Sequence, residues 1–216
     1  KSNVNETTDD DIMYSYMSTY DESIKEENSF FGLISRLRYI NRWSTIQCHE
    51  HEDLENHSFE VAIISHALVT IKNIKFNSNL DANKAAIIAL YHDVTEIITG
   101  DMPTPVKYCN KNMKPLYSEI EEQIIDKMIL LLPEEFRDTY KSILRRQEEE
   151  NDKELFNLIK AADTISAIIK CCREKKLGNK DFDRALEKLT ERLNNYEDPA
   201  VKYFIQTFLP AFGYNL

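Results

Sequence analysis

Glycine and proline are scarce in this chain, 4 and 6 among 216 residues. That scarcity removes the turn residues which a many-stranded sandwich or barrel needs between its strands. Cysteine is equally thin: Cys48, Cys109, Cys171 and Cys172 show neither CxxC spacing nor the density of a disulfide scaffold. The adjacent Cys171 and Cys172 read as reduced thiols. No apolar run reaches membrane length and no signal-peptide pattern is present, which predicts a cytoplasmic protein without a membrane partner. Basic residues are outnumbered, 27 Lys and Arg against 37 Asp and Glu, for a net charge of −10. An acidic chain is a poor match for nucleic acid, which asks for a basic face. A small anionic substrate stays open, because a bound cation can override the overall field locally.

What the chain does have is helical periodicity. Apolar residues make up 42% of it, enough for one substantial core at this length. Residues 1–28 are polar and acidic and read as an extension, largely disordered or holding one short helix, ahead of a single domain over 29–216. Phe30, Phe31, Ile34, Leu37 and Ile40 recur at spacings of three and four and predict a first helix. Residues 44–56 lack any period and predict a loop. The second helix is expected over 57–75, with His66 among its core residues. Leu80 and Asp81 offer a staple and an N-cap for a third helix over 82–99, which Gly100 stops. The run Asp101-Met102-Pro103-Thr104-Pro105 predicts a stiff loop. Further helices are expected over 116–132, 134–144, 154–176, 181–195 and 198–209. No strand-like alternation competes, so the fold class is all-α.

Metal-type ligands are strung along these helices: His57, the pair His92-Asp93, and Asp163. Two imidazoles and two carboxylates would neutralise a divalent ion and leave positions open for water and substrate. A His-Asp dipeptide alone is common, and a lone Asp on a helix is often satisfied by an Arg. Asp163, however, lies among Leu158, Ile159, Ala162, Ile165 and Ile168, where an unpaired carboxylate is costly. Glu96 follows His92 by one helical turn and could move a proton or hold water. Arg42 beside Trp43 pairs a phosphate-type cation with the chain's one Trp. His49 and His51 read as surface residues.

Five segments occur in order: Ile40-Asn41-Arg42-Trp43, Asn56-His57-Ser58, Tyr91-His92-Asp93-Val94-Thr95-Glu96, Thr99-Gly100-Asp101-Met102-Pro103-Thr104-Pro105-Val106-Lys107-Tyr108 and Lys160-Ala161-Ala162-Asp163. Together they resemble the bacterial HD-domain 5'-deoxynucleotidases. The resemblance runs from about residue 29 to the C-terminus and implies a single-domain helical bundle of the HD type. It implies a homodimeric enzyme that removes phosphate from deoxyribonucleoside 5'-monophosphates with one divalent transition metal ion, cobalt, manganese or copper. His57, His92, Asp93 and Asp163 would hold the metal. Arg42, Glu96 and Asp101 would serve catalysis, and Arg42, Trp43, His57, Asp93, Asp101, Met102, Pro103, Thr104 and Asp163 would line the substrate, with Trp43 against the sugar. The family usually has Glu where this chain has Asn56. If that Glu supports the neighbouring imidazole, Asn56 would alter metal affinity. Ser44 stands where the family usually has Pro.

Two other functions share the same ligands. A deoxynucleoside triphosphohydrolase would release triphosphate and need further cations, for which Arg36, Arg38 and Lys107 are candidates. A non-catalytic nucleotide sensor would keep the pocket without turnover.

Overall fold

The computed structural model describes residues 28–103, 106, 110, 113–145 and 150–214, with side chains from residue 153 in the last stretch. The expectations for residues 1–27, Thr104 and Lys107 lie outside the described residues. Among those described, every regular element is helical, and one isolated antiparallel bridge joins Asn41 to Asp53. The chain resolves into two compact units: the described parts of Lys1–Ile40 with Val94–Arg145, and those of Asn41–Asp93 with Arg146–Leu216.

In the first unit, helix α1 (Phe30–Ile34) tightens into a 3-10 helix over Ser35–Tyr39, so the expected first helix changes pitch halfway. The short α4 (Glu96–Thr99) ends at Gly100, whose φ of +73° disfavours any side chain there. Helices α5 (Met113–Leu130) and α6 (Glu134–Leu144) complete the unit. Phe30 is its anchor, fully buried, with its ring 5.1 Å from Tyr140 and its N–H donating to the Leu131 carbonyl. Tyr117 shares a 2.9 Å hydroxyl contact with Thr99.

The second unit is built on α2 (Leu54–Phe76), α3 (Ala82–Leu90), α7 (Glu150–Lys176), α8 (Asp183–Asn194) and α9 (Pro199–Thr207). Val61, Leu68, Val69, Ala85, Ile165, Ile168 and Phe204 sit in one continuous core. Three caps set its helix starts. Asp53, Asp81 and Asp198 each accept a backbone N–H two or three residues on. The Asp53 cap starts α2 at Leu54, so His57 lies one turn inside the helix and not at its opening. His66, expected in the core, is exposed. Among the C-terminal aromatics, Phe204 is core, Phe208 is exposed and Tyr203 lies under the Lys75 ammonium.

The third expected helix is broken. It ends at Leu90, and residues 91–95 are turns before α4 begins. At the break, the ring of His92 donates from Nδ1 to the Ala89 carbonyl at 2.7 Å. In a continuing α-helix that carbonyl would instead serve the N–H of Asp93.

One buried ion pair holds the loop ahead of α2. Lys170 and Glu174, one turn apart on α7, are 2% and 0% exposed and pair at 2.6 Å. Glu174 accepts from the backbone N–H groups of His49 and Glu50 and from Asn179. Lys170 donates to the Glu50 carbonyl, and Asn179 to that of Gln47. Burial alone would raise the Glu174 carboxyl, but Lys170 and the N–H groups of Glu50 and His49 bring it down to about 2. Its stabilisation is therefore complete above the ordinary value near 4.5 and is lost as pH falls from there toward 2. Glu174→Ala is expected to cost about 3–5 kcal/mol at pH 7, by stranding a buried cation. Urea unfolding from pH 7 to pH 3 should show the wild-type advantage shrinking with acid; a constant difference would count against the pair.

Candidate metal centre

His57, His92, Asp93, Asp163, Arg42 and Trp43 all belong to the second unit, and the side chains of the first four converge. α2 supplies His57, the turn after α3 supplies His92 and Asp93, and α7 supplies Asp163. One ligand atom each from His57, His92 and Asp163 lie within 4.8 Å of one another. His57 Nε2 is 3.2 Å from Asp163 Oδ1 and 3.6 Å from Asp93 Oδ2, and His92 Nε2 is 3.1 Å from the same Asp93 oxygen. Glu96 and Asp101 to Pro103 belong to the first unit. Glu96 is buried at the head of α4, and Asp101, Met102 and Pro103 are half-buried in the irregular chain after Gly100.

The donor set fits a divalent cation. Both Nε2 atoms are buried and make no hydrogen bond, an arrangement that costs free energy unless something else satisfies them. The His92 tautomer is fixed, because the Ala89 carbonyl only accepts and so Nδ1 carries the proton. In the neutral ring, the Nε2 lone pair then faces the carboxylates. Two imidazoles and two carboxylates give mixed nitrogen and oxygen ligation with net charge −2.

Electrostatics agree with the geometry. Burial, helped by Arg42, lowers His57 to about 4, so this ring is neutral at pH 7 and able to donate a lone pair. Burial would lower His92 as well, but Asp93 and Asp163 carry it up to about 9. The field that favours a proton on that ring would equally favour a metal cation. Burial works against an ionised Asp93, yet the charge and hydrogen bonding of His92 hold its carboxyl below the usual range.

Glu52, which no motif or spacing singles out, organises the neighbouring residues. Its Oε2 accepts from Trp43 Nε1 at 2.7 Å, its Oε1 lies 3.8 Å from Arg42 Nη1, and its carbonyl accepts from the Arg42 N–H. Burial raises its carboxyl, opposed by Arg42 and Trp43. Trp43 has φ of +60°, a backbone conformation that a bulky side chain avoids at a cost of about 1–3 kcal/mol. The Glu52 bonds on both sides hold it there, and the ring packs on Phe182 at 5.1 Å. Asn56, by contrast, is exposed, and its amide donates to Asp53. The position does not reach the imidazole.

Comparison with known proteins gives this geometry its family. The 5'-deoxynucleotidase YfbR-like family model matches residues 29–212. A 5'-deoxynucleotidase of Shewanella oneidensis is 39% identical over 186 residues, covering 86% of this chain and 94% of that protein. One from Yersinia pestis is 40% identical over 187 residues, covering 87% and 94%. An HD-domain phosphohydrolase from Listeria innocua superposes with a TM-score of 0.73 at 23% identity, over 85% of this chain and 87% of that one. The cyanophage S-2L HD phosphohydrolase, described as bound to dA and one catalytic Zn2+ ion, gives 0.55 at 20% identity, over 83% and 94%. The helical architecture and the order of the motifs therefore have one source: this chain belongs to the YfbR-like 5'-deoxynucleotidase family.

Proposed function

We propose that the chain hydrolyses deoxyribonucleoside 5'-monophosphates to the deoxyribonucleoside and inorganic phosphate, as a homodimer carrying one divalent transition metal ion, Co2+, Mn2+ or Cu2+. The convergence of His57 Nε2, His92 Nε2 and Asp163 on one spot carries this reading, and the names of the relatives supply the substrate class. His57, His92, Asp93 and Asp163 would hold the ion, which when bound polarises a phosphate oxygen and acidifies water.

The chain's own residues account for the rest. Arg42, near enough to both carboxylates to lower them, offsets charge on the phosphate oxygens as it builds. Glu96 positions the attacking water or takes its proton, and Asp101 orients the sugar or protonates the departing 5'-oxygen; both roles follow the resemblance. Met102, Pro103 and Thr104 line the substrate in the same reading. Trp43 Nε1 is already committed to Glu52, so a ribose 2'-hydroxyl against this indole finds no donor there. A buried hydroxyl without a partner is penalised, which favours deoxy substrates. For self-association, α2 exposes Phe59, Ile63 and Ile74, an apolar surface of the kind a second copy covers.

The test is product analysis with Co2+ or Mn2+ across deoxy- and ribonucleoside mono- and triphosphates, with a chelator control. Inorganic phosphate from the deoxy monophosphates alone, abolished by chelator, is the expected result. Tripolyphosphate from deoxy triphosphates would make the chain a triphosphohydrolase, and silence despite bound metal would make it a sensor. Glu52→Ala should lower kcat/KM by about tenfold to a hundredfold through misplacement of Arg42 and Trp43, with metal stoichiometry unchanged. Wild-type kinetics in that variant would remove Glu52 from the site.

A further inference from the structure

His57 is braced from behind by a chain of polar groups that the proposed reaction does not use. Ser166, one turn beyond Asp163 on α7, donates its hydroxyl proton to Glu60 Oε2 at 2.7 Å. The other oxygen of Glu60 accepts from Arg173 Nη2 at 2.8 Å. The Ser166 oxygen lies 3.2 Å from His57 Nδ1. Each partner's chemistry fixes the direction of these bonds. Arginine only donates and a carboxylate only accepts, so the Ser166 proton is committed to Glu60. The hydroxyl oxygen is left to accept, so a proton on His57 Nδ1 completes the chain, against the pull of Asp163 at 3.2 Å on the opposite ring nitrogen. Its Nε2 is then bare, and that is the buried, unbonded atom facing His92, Asp93 and Asp163.

We propose that Arg173, Glu60 and Ser166 form a polarity relay that locks His57 in its Nδ1–H tautomer and thereby sets the metal affinity of this chain. The proposal rests on the reading of His57 as a metal ligand. Ser166 and Glu60 are positioning residues, since neither is a proposed ligand. The role expected of the residue before His57 is filled here from α7, because Asn56 is turned to Asp53.

The relay makes a prediction that its charges alone do not. In Glu60→Gln, Arg173 continues to demand an acceptor and captures the amide oxygen, so the amide NH2 faces Ser166. The hydroxyl must then accept from Gln and becomes free to donate to His57 Nδ1, which moves the imidazole proton to Nε2. Nitrogen-15 NMR of metal-free protein should report that tautomer change, and calorimetric titration with Zn2+ or Mn2+ should show affinity lower by about tenfold to a hundredfold. Adding Arg173→Ala frees the Gln to turn its carbonyl to Ser166, so E60Q/R173A should regain the original tautomer and affinity. E60L/R173A carries the same charge without an acceptor and should not regain them. Equal recovery in both double variants, or an unchanged tautomer in E60Q, would overturn the relay. The NMR measurement needs no metal, so it decides the relay even where wild type takes up no ion, the outcome that would overturn the metal centre instead.

Discussion

Asp93 and Asp163 both approach the same imidazole nitrogen, His57 Nε2, at 3.6 and 3.2 Å. Two carboxylates so placed repel each other, and burial deepens the penalty by removing water that would screen them. A fold that keeps them together needs positive charge between or beside them. Arg42 and a protonated His92 supply part of it, and a divalent ion would supply it more completely. The surrounding architecture serves this constraint, because three separate segments must hold charged atoms in place. Only a rigid, close-packed helical core does that without relaxing into a less crowded arrangement.

α7 is the element on which most of this rigidity depends. Asp163, Ser166, Lys170 and then Arg173 with Glu174 recur at three and four residues, so one side of the helix is polar for three turns. The first member faces the centre, the second lies against His57, and Lys170 with Glu174 grip the loop at His49 and Glu50. That loop leads into Glu52, which holds both Arg42 and the strained Trp43. Residues far apart in sequence are thus fixed through a single helix. The interactions are costly to bury individually, but each is completed by a partner, the condition under which polar groups in a core add specificity to the fold.

Much of this was legible in the sequence, and the failures have physical reasons. The helical class, the Asp81 cap, the Gly100 stop and the clustered His57, His92 and Asp163 follow from local pattern. The start of α2 was missed because Asp53 caps four residues ahead of His57 in a stretch without apolar period. The third helix breaks where an imidazole takes a backbone carbonyl, an event that periodicity does not register. His66 was misjudged because α2 is apolar on more than its buried side, and a pattern of faces cannot say which one the core covers. Glu52 carried no signal at all, lying in an acidic loop among Glu50, Asp53 and Glu55. The polar stripe on α7 was readable, since its spacing is helical and its neighbours are apolar. Asp163 stands out from the rest of that stripe because a carboxylate among Leu158, Ile159, Ala162, Ile165 and Ile168 is costly unless paired.

The departure at Asn56 changes meaning once the ring's surroundings are known. A residue immediately before His57 on a helix points about 100° away from it, so reaching the same imidazole is awkward from that position. Support from α7 has a different consequence, because Ser166 lies three residues from Asp163 and shares its face. The proposed ligand Asp163 and the proposed brace of His57 then move together with one helix. A shift of α7 by a single residue would lose both at once, which makes the pairing of His57 with Asp163 an all-or-none property of how α2 and α7 pack. On the proposed reading, metal affinity would follow helix register, and position 56 stands outside it.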